Sequence, residues 1–331
     1  PDAPVDVAPM AAVDDPSATA QGCPAEFRLL EHGLLATGPR CIPLLPTRVI
    51  ALESFESLMS FGAPPVATQD GFLENHARYF PTLANDVDGI ASLGTGQPNA
   101  ETLIVNNPDL IIGSAQRWGN LYDELSSLAP TVLYDFEHSG LWKEVAALVA
   151  EATNQQAAYE QQLEIYDVRL AQLQADLEDA EAVISIVRIL PNRLRLYTRD
   201  SCAGEIVNCV GLARPPSQAL TNAELLTEHG QTTFYYISEE RIEMADGDII
   251  FLWTSSGTVE LREQAAERLA ELQADQLWGT LEAVENGRVY EVGGYWIGSS
   301  FIAAHYMIDD LYRTVLEQQP ATPNPFDNDA R

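Results

Sequence analysis

Cationic side chains are scarce in this chain: 18 Lys and Arg stand against 49 Asp and Glu, giving a formal net charge of −31. A chain so short of positive charge cannot lay down the basic stripe that displaces counterions from nucleic-acid phosphates, and an anionic membrane surface repels it too. Long apolar runs are also missing. The longest, such as the DIIFLW segment at 248–253, have strand length and fall well short of the ~20 residues that cross a bilayer. Histidine is sparse, and His32, His76, His138, His229 and His305 never form a ligand-spaced pair, which disfavours a protein-built divalent-metal site. The sequence contains no GxSxG, HExxH or Walker-type loop, and Gly94-Thr-Gly96-Gln-Pro-Asn99 lacks the third glycine of a dinucleotide fingerprint. Nothing in the pattern supports catalysis.

Cysteine is limited to four residues in two close pairs, Cys23 with Cys41 and Cys202 with Cys209. Neither is a CxxC, so two local disulfides in an oxidising compartment are expected, with buried free thiols as the alternative. Residues 1–22 are rich in Pro, Ala and Asp without apolar periodicity and read as a disordered tether ahead of a folded body. An acidic tether of this kind is what a surface-anchored lipoprotein would show after an upstream anchoring cysteine.

The 331 residues suggest about two domains. Strand-like segments at 49–52, 66–68, 109–114 and 131–135 alternate with helical spacing, the signature of a mostly parallel sheet. Between Asn154 and Asp179, Tyr159, Leu163, Tyr166, Leu170, Leu173 and Leu177 recur at helical steps without Gly or Pro, which predicts a long amphipathic helix. A second alternation follows at 183–190, 194–199, 233–238, 248–253 and 288–292. The expected architecture is α/β: an N-terminal lobe (23–153), a spanning helix (154–179), a C-terminal lobe (180–319) and a tail (320–331). A partial internal repeat supports it. Glu101 to Asp109 and Glu240 to Asp248 share one plan, an acid at a helix start followed eight residues on by an Asp that opens a buried strand.

Open α/β sheets bind ligands at the carboxyl ends of their strands. In the first lobe that rule selects Arg117, Trp118 and Tyr122, with Phe136 and His138 on a neighbouring loop. In the second it selects Arg188, Arg193, Arg195, Tyr197 and Trp253, with Tyr295 and Trp296 in a glycine-flanked loop. Flat apolar walls with guanidinium forks suit a bulky chelated ligand bearing anionic or carbonyl oxygens. Tyr235 and Tyr236 are neighbours in a strand, point to opposite faces and cannot both coordinate one ion.

At these residues the sequence resembles the helical-backbone class of periplasmic binding proteins, in particular the ferric-siderophore-binding proteins of ABC importers. The similarity spans about residues 28–318 and rests on Arg28-Leu-Leu-Glu-His32-Gly33 leading to Pro46-Thr-Arg48-Val-Ile-Ala, on Glu101 with Asn107-Pro108-Asp109-Leu-Ile-Ile, on the 154–179 helix, on Val210-Gly-Leu-Ala-Arg214-Pro215, and on Trp278 followed by Val289-Tyr. The resemblance implies two Rossmann-like lobes joined by one rigid helix, a ligand cleft between them, no intrinsic cofactor and no catalysis. It implies an exported monomer, periplasmic or lipid-anchored, whose iron is held by the chelator and not directly by the protein. It also implies that one surface acid per lobe, here Glu101 and Glu240, docks onto the membrane permease. Four candidate arginines suggest an anionic chelate, of citrate or hydroxamate type. Haem or cobalamin, a scaffold whose cleft is filled by its own side chains, and a nitrogenase-type enzyme needing cluster cysteines stand as alternatives.

Overall fold

The computed structural model describes residues 22–98, 100–254 and 259–327. All of the expected tether except Gly22, and the last four residues of the expected tail, lie outside the described residues.

Cys23 and Cys41 are joined by a disulfide, which ties the start of the described chain to an antiparallel hairpin of β1 (Phe27–Leu30) and β2 (Arg40–Pro43). The first lobe then builds an all-parallel five-stranded sheet from β3 (Val49–Ala51), β4 (Ala67–Thr68), β5 (Ala91–Ser92), β6 (Leu110–Ser114) and β7 (Thr131–Tyr134), in the order β5-β4-β3-β6-β7. Every residue of β3, β6 and β7 is buried. That is why these strands are continuous apolar runs in the sequence and do not alternate.

The second lobe holds β8 (Ile184–Leu190), β9 (Arg193–Tyr197), β10 (Phe234–Ile237), β11 (Ile249–Trp253) and β12 (Val289–Glu291), in the order β10-β9-β8-β11-β12. β8, β11 and β12 run parallel, whereas β9 and β10 turn back antiparallel. Each sheet divides its residues between two cores by strand alternation. Ile50, Ile111 and Leu133 face the first lobe's own outer layer, and Val187, Leu196 and Leu252 face the second lobe's. Ala51, Ile112, Val132, Ile186, Phe251 and Trp253 belong to one core shared by both lobes.

The helix Trp142–Thr153 ends at Asn154, whose left-handed backbone (φ 57°) turns the chain into the helix Gln156–Asp176. At ~1.5 Å per residue, the 21 residues of that second helix reach ~32 Å. Five of the six expected stripe residues lie in it and Leu177 caps it, all buried or half-buried. Arg169 on the same face has no counterpart in the apolar pattern, yet it is 1% exposed. It donates to His305 Nδ1 (2.8 Å) and to the Thr322 carbonyl (3.1 Å), and forms an ion pair with Asp309. Asn324 donates to Asp309 as well (2.7 Å), and Phe326 is buried against His305. The end of the chain through residue 327 is therefore a strap fastened over the spanning helix and the helix Phe301–Val315.

The internal repeat has a physical basis. Asp109 accepts hydrogen bonds from the Thr47 and Arg48 amides (2.7 and 2.9 Å), and Asp248 accepts from the Val183 amide (2.6 Å). In each lobe the aspartate that opens the second central strand pins the start of the first.

The second expected disulfide is absent: Cys202 and Cys209 are free thiols, one buried and one exposed. They are the end residues of the helix Cys202–Cys209. Seven residues of helix separate their Cα atoms by ~10 Å along the axis, beyond the ~4.4–6.8 Å that a disulfide spans.

Candidate functional site

Strand β3 leaves the sheet at its carboxyl end through Glu53 and Ser54 into the helix Phe55–Ser60. Ser54 sits in the left-handed region at φ 62°, a conformation costly for a residue with a Cβ. Its hydroxyl is fixed by Tyr134 Oη at 2.7 Å, at the carboxyl end of β7. Glu53 accepts from the Ser114 amide (2.8 Å) at the end of β6. Three strand ends of the first lobe are thus knotted at one point.

Facing them is the loop 293–299 of the second lobe. Gly294 allows that loop to close on the first lobe, since a Cβ there would stand 2.6 Å from the Tyr79 ring. Tyr295 Oη and Trp296 Nε1 both donate to the buried Asp310 at 2.7 Å, which fixes the two rings beside the cleft. Trp296 also stacks on Phe251, with centroids 4.4 Å apart.

Between these elements lies a cleft of about 580 Å³, walled by Phe55, Phe72, Tyr79, Phe136, Trp142 and Tyr295. A second chamber of about 260 Å³ shares Phe136, Ser139, Phe234 and Ile297 with it and adds His138, Arg195, Tyr197 and Trp296. Together they are large enough for a drug-sized or chelate-sized ligand. Arg195 is held by aromatics: its guanidinium lies 3.8 Å from the Phe234 ring centre, and it donates to Tyr236 Oη (2.7 Å) and Tyr197 Oη (3.3 Å).

Glu56 is a cleft carboxyl whose proton affinity burial raises strongly. Burial pushes its carboxyl up to about 7, and a hydrogen bond from Ser300 Oγ (3.1 Å) opposes that shift. Ser300 also caps the helix Phe301–Val315 by accepting from the Ala303 amide, so the contact crosses from lobe to lobe. Burial first, and the Glu53 charge second, push the Tyr134 phenol well above its ordinary value.

Of the residues selected from the sequence, Arg195, Tyr197, Tyr295 and Trp296 line these chambers. Trp253 packs against Tyr197 (centroids 5.2 Å apart) and borders an adjoining groove with Arg78 and Arg262. Arg188 is two residues short of the end of β8, paired across the sheet with Arg195 and Trp253, and it borders an outer recess together with Arg193. Arg193 stacks on Tyr236 at 3.9 Å. Arg117 is exposed over Trp118 (4.9 Å), while Trp118 is 3% exposed in the first lobe's own core. Tyr122 is engaged by Arg40, which lies 4.8 Å from its ring centre. These three do not line the cleft. The expectation that four arginines converge is corrected: the two cleft chambers contain Arg195 alone of the four. Glu101 and Glu240 are both exposed, one on each lobe.

Glu53, Ser54, Phe55 and Glu56 were missed from sequence, although they directly follow the strand at 49–52. The strand-end rule applied there would have selected them.

Two α/β sheets, a helix running along both, and an aromatic cleft at the strand ends define a two-lobe solute-binding protein. The chain belongs to the periplasmic binding protein family, whose model matches residues 62–295. It is 31% identical over 278 residues to the probable siderophore-binding lipoprotein YfiY of Bacillus subtilis (strain 168), a match covering 82% of each chain. It is 26% identical to the Fe(3+)-citrate-binding protein YfmC of the same organism, over 74% of this chain and 73% of that one. Among solved structures it resembles Staphylococcus aureus SirA complexed with staphyloferrin B, with a TM-score of 0.73 and 26% identity over 87% of this chain and 98% of that one.

Proposed function

We propose that the protein captures a ferric siderophore in the interlobe cleft outside the cytoplasmic membrane and delivers it to an ABC importer. The observation that carries this reading is the cleft itself: about 580 Å³ walled by aromatic rings from both lobes, with a single ring-held guanidinium in the adjoining chamber. Flat rings cover the apolar face of a bulky chelate, and a guanidinium forks onto its carboxylate or carbonyl oxygens. YfiY, named for siderophore binding, and YfmC, named for ferric citrate binding, support the substrate class, and SirA is solved with staphyloferrin B bound.

Among the described residues, no group of three or more His, Cys, Asp and Glu side chains could hold a metal ion. In this reading the chelator supplies the donors to iron, and the iron is cargo. Among the described residues no helix is long and apolar enough to cross a membrane. Membrane contact is then made through the importer, with Glu101 and Glu240 presented to the permease. Exposed acids contribute little affinity of their own, so their part is steering and register. In this reading the protein acts by binding, as its relatives YfiY and YfmC are named to do.

The test is an equilibrium titration of intrinsic tryptophan fluorescence with ferric siderophores, ferric citrate, haem and cobalamin. Saturable quenching by an iron chelate, weakened in Arg195→Ala, is expected. A response to haem or cobalamin alone, or to none of them, would overturn the reading.

A further inference from the structure

The charges in the cleft are not distributed as an anion trap. The larger chamber is lined by Glu53 and Glu56 and, among the described residues, by no Lys, Arg or His. The one arginine, Arg195, belongs to the second chamber, beyond the shared Phe136 and Phe234. Resting on the function proposed above, we infer that the cleft takes a polarised chelate, seating a cationic arm on Glu53 and Glu56 while Arg195 meets its anionic or carbonyl side.

Both carboxyls are positioned and incompletely satisfied. Glu53 accepts one backbone amide, from Ser114, through Oε2. Glu56 accepts one hydroxyl, from Ser300, also through Oε2. A carboxylate has about four lone-pair sites, so each retains acceptor capacity toward the cavity. Removing such a group from water is unfavourable unless a donor or cation compensates. A ligand with an ammonium arm supplies that compensation in full, whereas a polyanionic chelate would meet the Glu53 charge and, as pH rises past about 7, that of Glu56 as well.

The groups facing Glu56 do not neutralise it. Glu53 and Tyr134 face it from the first lobe's strand ends, Tyr79 from the helix Asp70–Tyr79, and Tyr295 from the second lobe's loop. The buried Cys202 thiol is held protonated, by burial first and by the Glu205 charge second, with Glu56 adding to the effect. Lys143 is committed elsewhere: it is paired with Glu205 at 2.6 Å, and the Trp142 indole donates to the same carboxylate. Burial raises the Glu56 carboxyl to about 7, and a bound cation draws it to the ionised form.

A matched ligand pair tests this on the unaltered protein: ferrioxamine B, a tris-hydroxamate with a free ammonium arm, and its N-acetylated derivative, in which a neutral acetamide replaces that ammonium. Ferric enterobactin, triply anionic, is the third probe. The ammonium form is expected to bind about tenfold tighter than the acetylated one. That preference should widen from about pH 6 to about pH 8, as Glu56 ionises while the amine stays protonated. It should disappear in the Glu53→Gln/Glu56→Gln double variant. Chelate binding without an ammonium preference, or with enterobactin the tightest, would overturn this inference and leave the proposed function standing. No binding by any chelate in the wider titration would overturn the function as well.

Discussion

At Gly294 the second lobe packs tightly on the Tyr79 side chain of the first, and replacing it sets two effects of opposite sign against each other. An alanine Cβ would lie 2.6 Å from three atoms of the Tyr79 ring. Overpacking of this kind costs ~1–3 kcal/mol. The backbone at Gly294 is not left-handed. Alanine therefore gains ~0.4–1 kcal/mol by restricting the unfolded chain, and the net loss should be ~0.5–2 kcal/mol. The ring also walls the cleft, so the strain should spread the lobes and weaken ligand binding together with stability. Urea unfolding of wild type, Gly294→Ala, Tyr79→Ala and the double variant closes the cycle. In the Tyr79→Ala background the glycine replacement should be neutral or slightly stabilising, which makes the coupling ~1–3 kcal/mol. A Gly294→Ala protein as stable as wild type with Tyr79 intact would refute the argument, because the lobes would then have room to spare at this point.

Removing Arg169 should have a larger effect: Arg169→Met leaves the Asp309 charge with the neutral Asn324 donor only and the Thr322 carbonyl without its donor, and should cost ~3–5 kcal/mol, with proteolysis of the strap as a local readout. A urea midpoint unchanged from wild type would contradict it. Thiol titration without reductant should find one reactive thiol in the folded protein, Cys209, and a second only on unfolding, Cys202. Finding none would restore the second disulfide. Replacing Cys23 and Cys41 with serine opens a loop of sequence separation 18 and should cost ~3 kcal/mol; a smaller loss means that the β1–β2 hairpin already restrains the ends. For pH, Glu56 has a folded value raised to about 7, so its neutral form is the one that suits the fold. Its contribution is intact below the unfolded carboxyl range and declines as pH rises toward 7. Glu56→Gln should therefore gain stability relative to wild type between about pH 4.5 and about pH 7. A pH-independent difference would contradict the burial of that carboxyl.

Legibility from sequence followed burial. The central strands β3, β6, β8 and β11 are apolar end to end, or nearly so, and the βα alternation they create could be read directly, together with the spanning helix. β1, β2 and β5 are four, four and two residues long and have no such run, so nothing marked them. The strand-end rule reached Tyr197 at the end of β9 and Tyr295 and Trp296 just past β12, while Arg195 reaches the chamber from the middle of β9. It misplaced Trp118 because β6 turns straight into the helix Ala115–Trp118, which folds the indole under Gly113, whose added Cβ would lie 2.9 Å from it. The direction of a side chain one helical turn past a strand depends on packing, and spacing does not carry it. The cysteine pair 202 and 209 misled for the opposite reason, since its local signal was present and unused. Ser201 caps the helix through the Gly204 amide, a start signal visible in the sequence.

The central claim, that the interlobe cleft is the seat of an iron chelate, is tested most directly by hydrogen exchange with and without a saturating ferric siderophore. Protection is expected together at residues 53–57, 134–139, 231–234 and 293–299, the segments that line the two chambers. Protection confined to one lobe, or concentrated at the outer recess around Arg188 and Arg193, would contradict it.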